Sequence, residues 1–336
     1  MTSPEEREDE ARAGPRRWWG LAGTALRSAR RLPYGGPLAA LAATWALFAT
    51  LAPGSFTRAS NFVTMARQST VVAVAAVGMT LVIITGGIDL SVGSTVAFTT
   101  VVVAKTLAAG YGPLIAVGAG VAVATLCGTV SGTLVGKLRL APFVVTLSAM
   151  SILRGAAKGA AHEQKIDCDP RGLDGLLVPS TGWPLVPPGV WICVAVIVAG
   201  ALVLRTTRFG RHVYAVGSNE ATARVCGVDV ARVKILAYAI AGGLAGLAGV
   251  LEFATLTVGD PTDSIGLELE VIAAVVIGGA SLSGGEGTIA GSIVGALLMT
   301  VMRTGCTFVG VHNWVQEIAT GAIILVAAAI DQVRHR

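Results

Sequence analysis

Apolar residues run along this chain without the polar interruptions that would give a helix or strand a wet face. Ten such runs cover 38–52, 67–85, 91–109, 113–135, 141–158, 188–204, 233–252, 268–282, 287–303 and 314–330. Segments 115–126 and 318–330 have no polar side to turn toward water. A helix that is apolar all round belongs in a large core or in a bilayer, and about 20 such residues cross the hydrocarbon. The pattern predicts an all-α fold: a polytopic integral membrane bundle of about ten transmembrane segments, forming one domain over 37–332. Some runs are nearer 15 than 20 residues, which leaves open that one is re-entrant.

Two breaks punctuate the pattern. The first reads Gly86-Gly87-Ile88-Asp89-Leu90-Ser91-Val92-Gly93, and a near-copy reads Gly278-Gly279-Ala280-Ser281-Leu282-Ser283-Gly284-Gly285. A glycine-rich break within membrane-length sequence frees backbone groups that then need local partners. Gly86, Gly87, Asp89, Ser91, Gly278, Gly279, Ser281 and Ser283 are the candidate break and gate residues. One reading is capping, with Asp89 or Ser91 serving a helix that starts near Val92, and Ser281 or Ser283 one that starts near Gly287. The other makes the breaks part of a gate or of the wall of a solute path. Asp89 bears on both, because an acid at membrane depth faces a cavity or a partner; Lys105 is a candidate partner. With ten crossings the breaks are parallel repeats on one side, and one lost crossing makes them an inverted pair.

Lysine and arginine set the orientation. The leader before Pro37 is acidic from Glu5 to Glu10 and basic later, unlike a signal peptide, which begins with a short basic region. Residues 1–36 are expected to form a cytoplasmic, partly disordered tail. The loops after the fourth and sixth runs, holding Lys137 with Arg139 and the bases from Arg205 to Lys234, then also face the cytoplasm. The C-terminus ends Arg334-His335-Arg336, and an even count of crossings places it inside too. Segments 159–187 and 253–267 become outer loops. Stretch 252–270 carries Glu252, Asp260, Asp263, Glu268 and Glu270 with no base.

Composition supports the membrane reading and removes several function classes. The chain is 53% hydrophobic and 13% charged, against about 25% charged in soluble domains. A net charge of +5 forms no aromatic-interleaved basic patch, so nucleic acid is not an expected partner. Five cysteines show no CxxC, and four scattered histidines form no HExxH, so no metal site is expected. Gly132 to Leu138 resembles a phosphate loop only superficially. Ser131 stands where its first glycine belongs, and Leu138 replaces the hydroxyl that would hold magnesium. No catalytic or cofactor-binding residue emerges. Glycines at four-residue spacing (Gly128, Gly132, Gly136; Gly242, Gly246; Gly287, Gly291, Gly295) suit close helix approach, either as static packing or as a moving or dimerising interface.

One further segment, 210–228, joins the sixth and seventh runs. Ser218 or Asn219 is suited to cap a helix, Glu220 to its first turn and Gly227 to its stop, which predicts a helix of about two turns. It is either a connecting helix on the membrane surface or a docking lever that takes motion from a cytoplasmic engine.

Specific pieces now carry a resemblance. Gly78-Met79-Thr80-Leu81-Val82-Ile83-Ile84-Thr85 leads into the first break; Pro142-Phe143-Val144-Val145-Thr146-Leu147 precedes Arg154-Gly155; segment 210–228 follows; Gln316 to Leu325 closes the series. The chain resembles the membrane-permease subunit of bacterial ABC sugar importers, of the ribose, xylose, arabinose and galactose type. The likeness spans roughly 38–332. The outer loop from Ala161 to Asp169 and the charged leader depart from the family pattern.

The resemblance implies a homodimeric permease of the inner membrane with no active site and no bound cofactor of its own. It implies a cytoplasmic ABC ATPase partner that uses ATP and magnesium, and a periplasmic or lipid-anchored solute-binding protein. It favours the lever reading, with Gly217, Ser218, Asn219, Glu220, Ala221, Ala223 and Gly227 as the coupling residues. The expected cargo is a monosaccharide or a similar small polar solute. Branched-chain amino acids, nucleosides or a furanosyl signal are the alternative within the class. A secondary transporter or channel would need intramembrane ion-coupling groups, for which only Asp89 and Glu286 offer themselves. A membrane enzyme would need a nucleophile or metal site.

Overall fold

The computed structural model describes residues 35–177 and 186–334. The expected leader therefore lies outside the described residues, except for its last two positions. The chain is built from α1 (Gly35–Leu51), α2 (Pro53–Phe56), α3 (Ala59–Ile84), α4 (Val92–Ala108), α5 (Pro113–Gly136), α6 (Pro142–Ala160) and α7 (Pro188–Thr206). After these come α8 (Arg208–Ser218), α9 (Glu220–Val225), α10 (Val230–Leu256), α11 (Leu267–Ile277), α12 (Ile289–Phe308) and α13 (Asn313–Arg334). Five of these, α3, α5, α7, α10 and α12, are long and apolar enough to cross a membrane. Proline opens α5, α6 and α7 within their first two positions, where its missing N–H leaves no bond unmade.

Burial separates centre from perimeter. The apolar window of α3 is 89% buried, against 17% in α7, so α3 is the axis of the bundle and α7 lies on its perimeter. α10 packs along α5, α3 and α4. The α5–α10 contact answers one question left by the sequence. Gly128, Gly132 and Gly136 lie directly on Tyr238, Ile235 and Ala231, and Gly242 and Gly246 face back onto Ala124 and Val121. A Cβ at any of these glycines would press into the facing helix, so the rows are packing within this chain. Gly291 and Gly295 do the same for α12 against Ala274 of α11 and Gly278 just after it.

Four features differ from the sequence expectations. Segment 210–228 holds two helices rather than one, because α8 continues almost directly from α7. α11 is only 11 residues, about 16 Å at 1.5 Å per residue, so as a helix it is too short to cross and the chain continues as the second break. Glu252, expected at the outer end of its apolar run, stands a turn inside α10, which continues to Leu256. Lastly, the otherwise helical chain has a two-residue antiparallel ladder, β1 (Ile166–Asp167) with β2 (Val258–Gly259). It ties the loop after α6 to the loop after α10, and a 3.0 Å ion pair from Lys165 to Asp260 braces it.

Candidate functional site

Both breaks begin with the same backbone device. α3 ends in a Schellman stop: Gly86 N–H donates to Ile83 O at 2.9 Å, Gly87 N–H to Val82 O at 3.0 Å, and Gly86 sits at φ +76°. α11 ends identically, with Gly279 N–H to Val276 O at 2.9 Å, Ala280 N–H to Val275 O at 3.2 Å, and Gly279 at φ +92°. Only glycine adopts this left-handed turn without steric penalty. The glycine pairs align in sequence, yet the geometric equivalence is Gly86 with Gly279, an offset of one residue.

The caps differ from those expected. Ser91 is the N-cap of α4 but its side chain caps nothing. Asp89 Oδ1 instead accepts from Ser91 N–H at 2.8 Å and from Ser91 Oγ–H at 2.6 Å, closing a tight turn just ahead of the helix. Lys105 is not the partner of Asp89: it lies in the last turn of α4 and donates to Ala160 O at 2.9 Å. After the second break the helix starts at Ile289 rather than near Gly287. Its cap is Thr288, which accepts from Gly291 N–H at 3.0 Å. Ser281 and Ser283 bond each other at 2.7 Å, and Asp331 of α13 accepts from Ser281 Oγ–H and Leu282 N–H, both at 3.1 Å. Threonine wins the cap because the chain leaves the turn two residues later than the serine spacing suggested.

The breaks meet at one end of the bundle. Gly285 N–H donates to Ile84 O, the last residue of α3, at 2.9 Å. Gly284 lies on Gly86, and Gly287 lies on the Ile84 side chain. α3 and α11 both run toward this end, and α4 and α12 both return from it, so the breaks sit side by side in a parallel sense. Ile88 O accepts from Thr146 Oγ–H at 3.0 Å and from Tyr238 O–H at 3.5 Å, which pins the first break to α6 and α10.

Helices α8 and α9 seat on this junction. α8 buries Gly210, Val213 and Val216 against Leu204, Leu81, Ile84 and Val233. At its C-terminal end Gly217 lies on Ile84 O and Gly285 N at once, and Ser218 lies on Gly285. Tyr214 O–H donates to Gly287 O at 2.7 Å. Asn219 then caps α9 by accepting from Thr222 N–H at 2.8 Å, and Gly227 ends it at φ +82°. Ala223 is buried beneath α9, while Ala221 and Gly227 are exposed and Val225 is 88% exposed.

Glu220 ties this unit to α10, bonding Lys234 at 2.6 Å and Arg224 at 2.8 Å. The Lys234 hydrogen bond leads in holding the Glu220 carboxyl below its usual range, against desolvation and aided by the charges of Lys234, Arg224 and Arg139. Tyr214, Thr288, Asp331 and Lys234 were not singled out from sequence. Tyr214, Asp331 and Lys234 act on residues far from them in the chain, which no local motif marks, whereas Thr288 caps its own helix.

Residues 61–328 match the family described as the branched-chain amino acid transport system / permease component. The ribose import permease protein RbsC of Escherichia coli K12 is 40% identical over 305 residues, covering 89% of this chain and 93% of that protein. RbsC of Bacillus subtilis 168 is 36% identical over 83% of this chain and 86% of the relative. The L-arabinose ABC transporter permease protein AraH of Azospirillum brasilense is 34% identical over 86% and 85%. No solved structure matches the chain significantly. Two glycine breaks joined beneath α8 thus occur in a chain similar over most of its length to transport permeases, and the protein belongs to this permease-component family of ABC importers, as a multi-pass membrane transport subunit.

Proposed function

We propose that this chain is the permease subunit of an ABC importer that moves a monosaccharide, or a similar small polar solute, across the inner membrane by alternating access. The observation that carries the reading is Gly217: one backbone position touches both the end of α3, just ahead of the first break, and Gly285 of the second break, and it belongs to the segment that presents Val225 to solvent. A cytoplasmic ATPase partner would grip α9. Its movement on binding and hydrolysing ATP with magnesium would pass through α8 to Ile84 and the second break together. The chain itself binds no cofactor and performs no chemistry.

The proposed topology has ten crossings with both termini cytoplasmic, which puts the break junction and α8–α9 on the cytoplasmic side. α11 with its break counts as one crossing. The 1–36 tail precedes a single permease domain over 37–332. A second copy completes a homodimer, and a periplasmic or lipid-anchored binding protein delivers solute to the opposite face. The names of the relatives favour a sugar; the description of the family favours branched-chain amino acids and is the second reading. Uptake of labelled ribose, arabinose, xylose and leucine by proteoliposomes holding the permease, its ATPase and its binding protein tests this. ATP-dependent uptake of a sugar is expected. Uptake by the permease alone on an ion gradient would overturn the ABC mechanism, and uptake of leucine only would overturn the sugar.

A further inference from the structure

The end of the bundle opposite the breaks holds a cavity of about 830 Å³, within the roughly 300–1,000 Å³ of small-molecule sites. Four helices wall it: α3 with Arg67 and Gln68, α10 with Glu252, α11 with Glu270, and α12 with Arg303. It opens at the helix ends, where Ser60 and Thr307 are exposed, and its wall reaches inward to Val71 and Val72. Arg67 lies eight residues inside α3, about 12 Å from its start. Charges at that depth do not face hydrocarbon; they face a partner or water.

The wall is only partly self-satisfied. Arg303 pairs with Glu270 at 3.1 Å, and Thr304 Oγ–H donates to Gln68 Oε1 at 3.0 Å, which fixes the Gln68 amide. Arg67 Nε, in contrast, is buried with no hydrogen-bond partner among the described residues. A buried donor left unanswered is unfavourable by about 1–3 kcal/mol, so its natural state is an occupied one, by water or ligand. Guanidinium donors and carboxylate acceptors both line the wall. That mixture repels neither sign alone and suits neighbouring hydroxyl groups, each of which donates and accepts.

Resting on the transport reading above, we propose that the cavity walled by Arg67, Gln68, Glu252, Glu270 and Arg303 is a site in the permease itself that receives a neutral polyhydroxylated solute. Val71 and Val72 form its apolar inner limit, and they lie on α3, the same helix whose far end Gly217 touches. Displacing α8 therefore moves the cavity wall along a single rigid element.

The test uses the complete importer in proteoliposomes, with ribose as the probe. Arg67→Met and Glu252→Gln are each expected to lower ribose uptake at least tenfold, while ATP hydrolysis stimulated by ribose-loaded binding protein stays within twofold of the unaltered complex. Ser60→Cys at the mouth is expected to transport normally until a membrane-impermeant, bulky thiol reagent is applied from outside. Uptake then falls at least tenfold, whereas the same reagent leaves the unaltered complex active. Unchanged uptake in both wall variants, or in fully modified Ser60→Cys, would overturn the site. Joint loss of uptake and hydrolysis in both wall variants would assign these residues to folding and also overturn it. If the unaltered complex carries neither ribose, arabinose nor xylose, the sugar reading fails first and the site falls with it.

Discussion

The two ends of α3 are built on opposite terms. At Ile84 the backbone of three segments meets so closely that glycine stands at Gly217, Gly284, Gly285 and Gly287, and the contacts are mostly main chain to main chain. At Arg67 the neighbours stand apart around an 830 Å³ space, and the contacts are long charged side chains. The first arrangement transmits position, because an interface with no free volume cannot absorb a displacement. The second admits a molecule and exchanges water for it. One continuous helix joins them, so a force at one end has a rigid path to the other.

The largest expected effect breaks the tight end. Gly217→Val places side-chain atoms on Ile84 O and Gly285 N, backbone atoms that cannot turn aside. Overpacking of this kind is unfavourable by about 3 kcal/mol or more. A thermal midpoint several degrees lower and ATP-driven uptake down more than tenfold are expected; near-normal values of both would show that the junction yields. Next, Asp331→Ala removes the carboxylate that receives Leu282 N–H and Ser281 Oγ–H. A loss of about 2 kcal/mol is expected by chemical unfolding in detergent, and an unchanged midpoint would mean the second break holds itself.

Gly227→Val has a smaller and more selective consequence. The residue is exposed at φ +82° with open space around it, so the penalty is the left-handed conformation alone, about 1–2 kcal/mol. Shifting the end of α9 should leave ATP hydrolysis by the complex running while uptake falls; equal transport per ATP would refute the lever. Smallest is the Glu220–Lys234 tie, which solvent screens to about 0.5 kcal/mol. Because the Glu220 carboxyl is held below its ordinary value, its stabilisation is complete above that value and fades as pH falls through the lowered one. The stability difference between the protein and Glu220→Gln should shrink on acidification below the carboxyl's ordinary value of 4.5. A difference that grows instead would reverse the assignment.

Local features were readable from the chain. The apolar runs end close to the observed helices, and α9 has the cap, first-turn acid and glycine stop that Asn219, Glu220 and Gly227 advertise. Each of these is decided within a turn or two of backbone. Legibility failed where two nearby residues competed for one role, as Ser283 did with Thr288, since either hydroxyl caps a helix and only the path of the chain selects. It failed more fully at the cavity. Arg67, Glu252, Glu270 and Arg303 each stand near the end of an apolar run, and there a charge reads as a loop boundary.

The sequence by itself determined the class of molecule, the number of apolar segments and the places where helices must stop, because hydrophobic transfer and the left-handed turn are properties of single residues and short runs. Tertiary structure alone decided that Gly285 meets Ile84, that Gly217 touches them both, and that four distant charges face one space. Such contacts depend on how helices approach, which is set by the sum of many weak packing terms across the bundle and is written in no single segment.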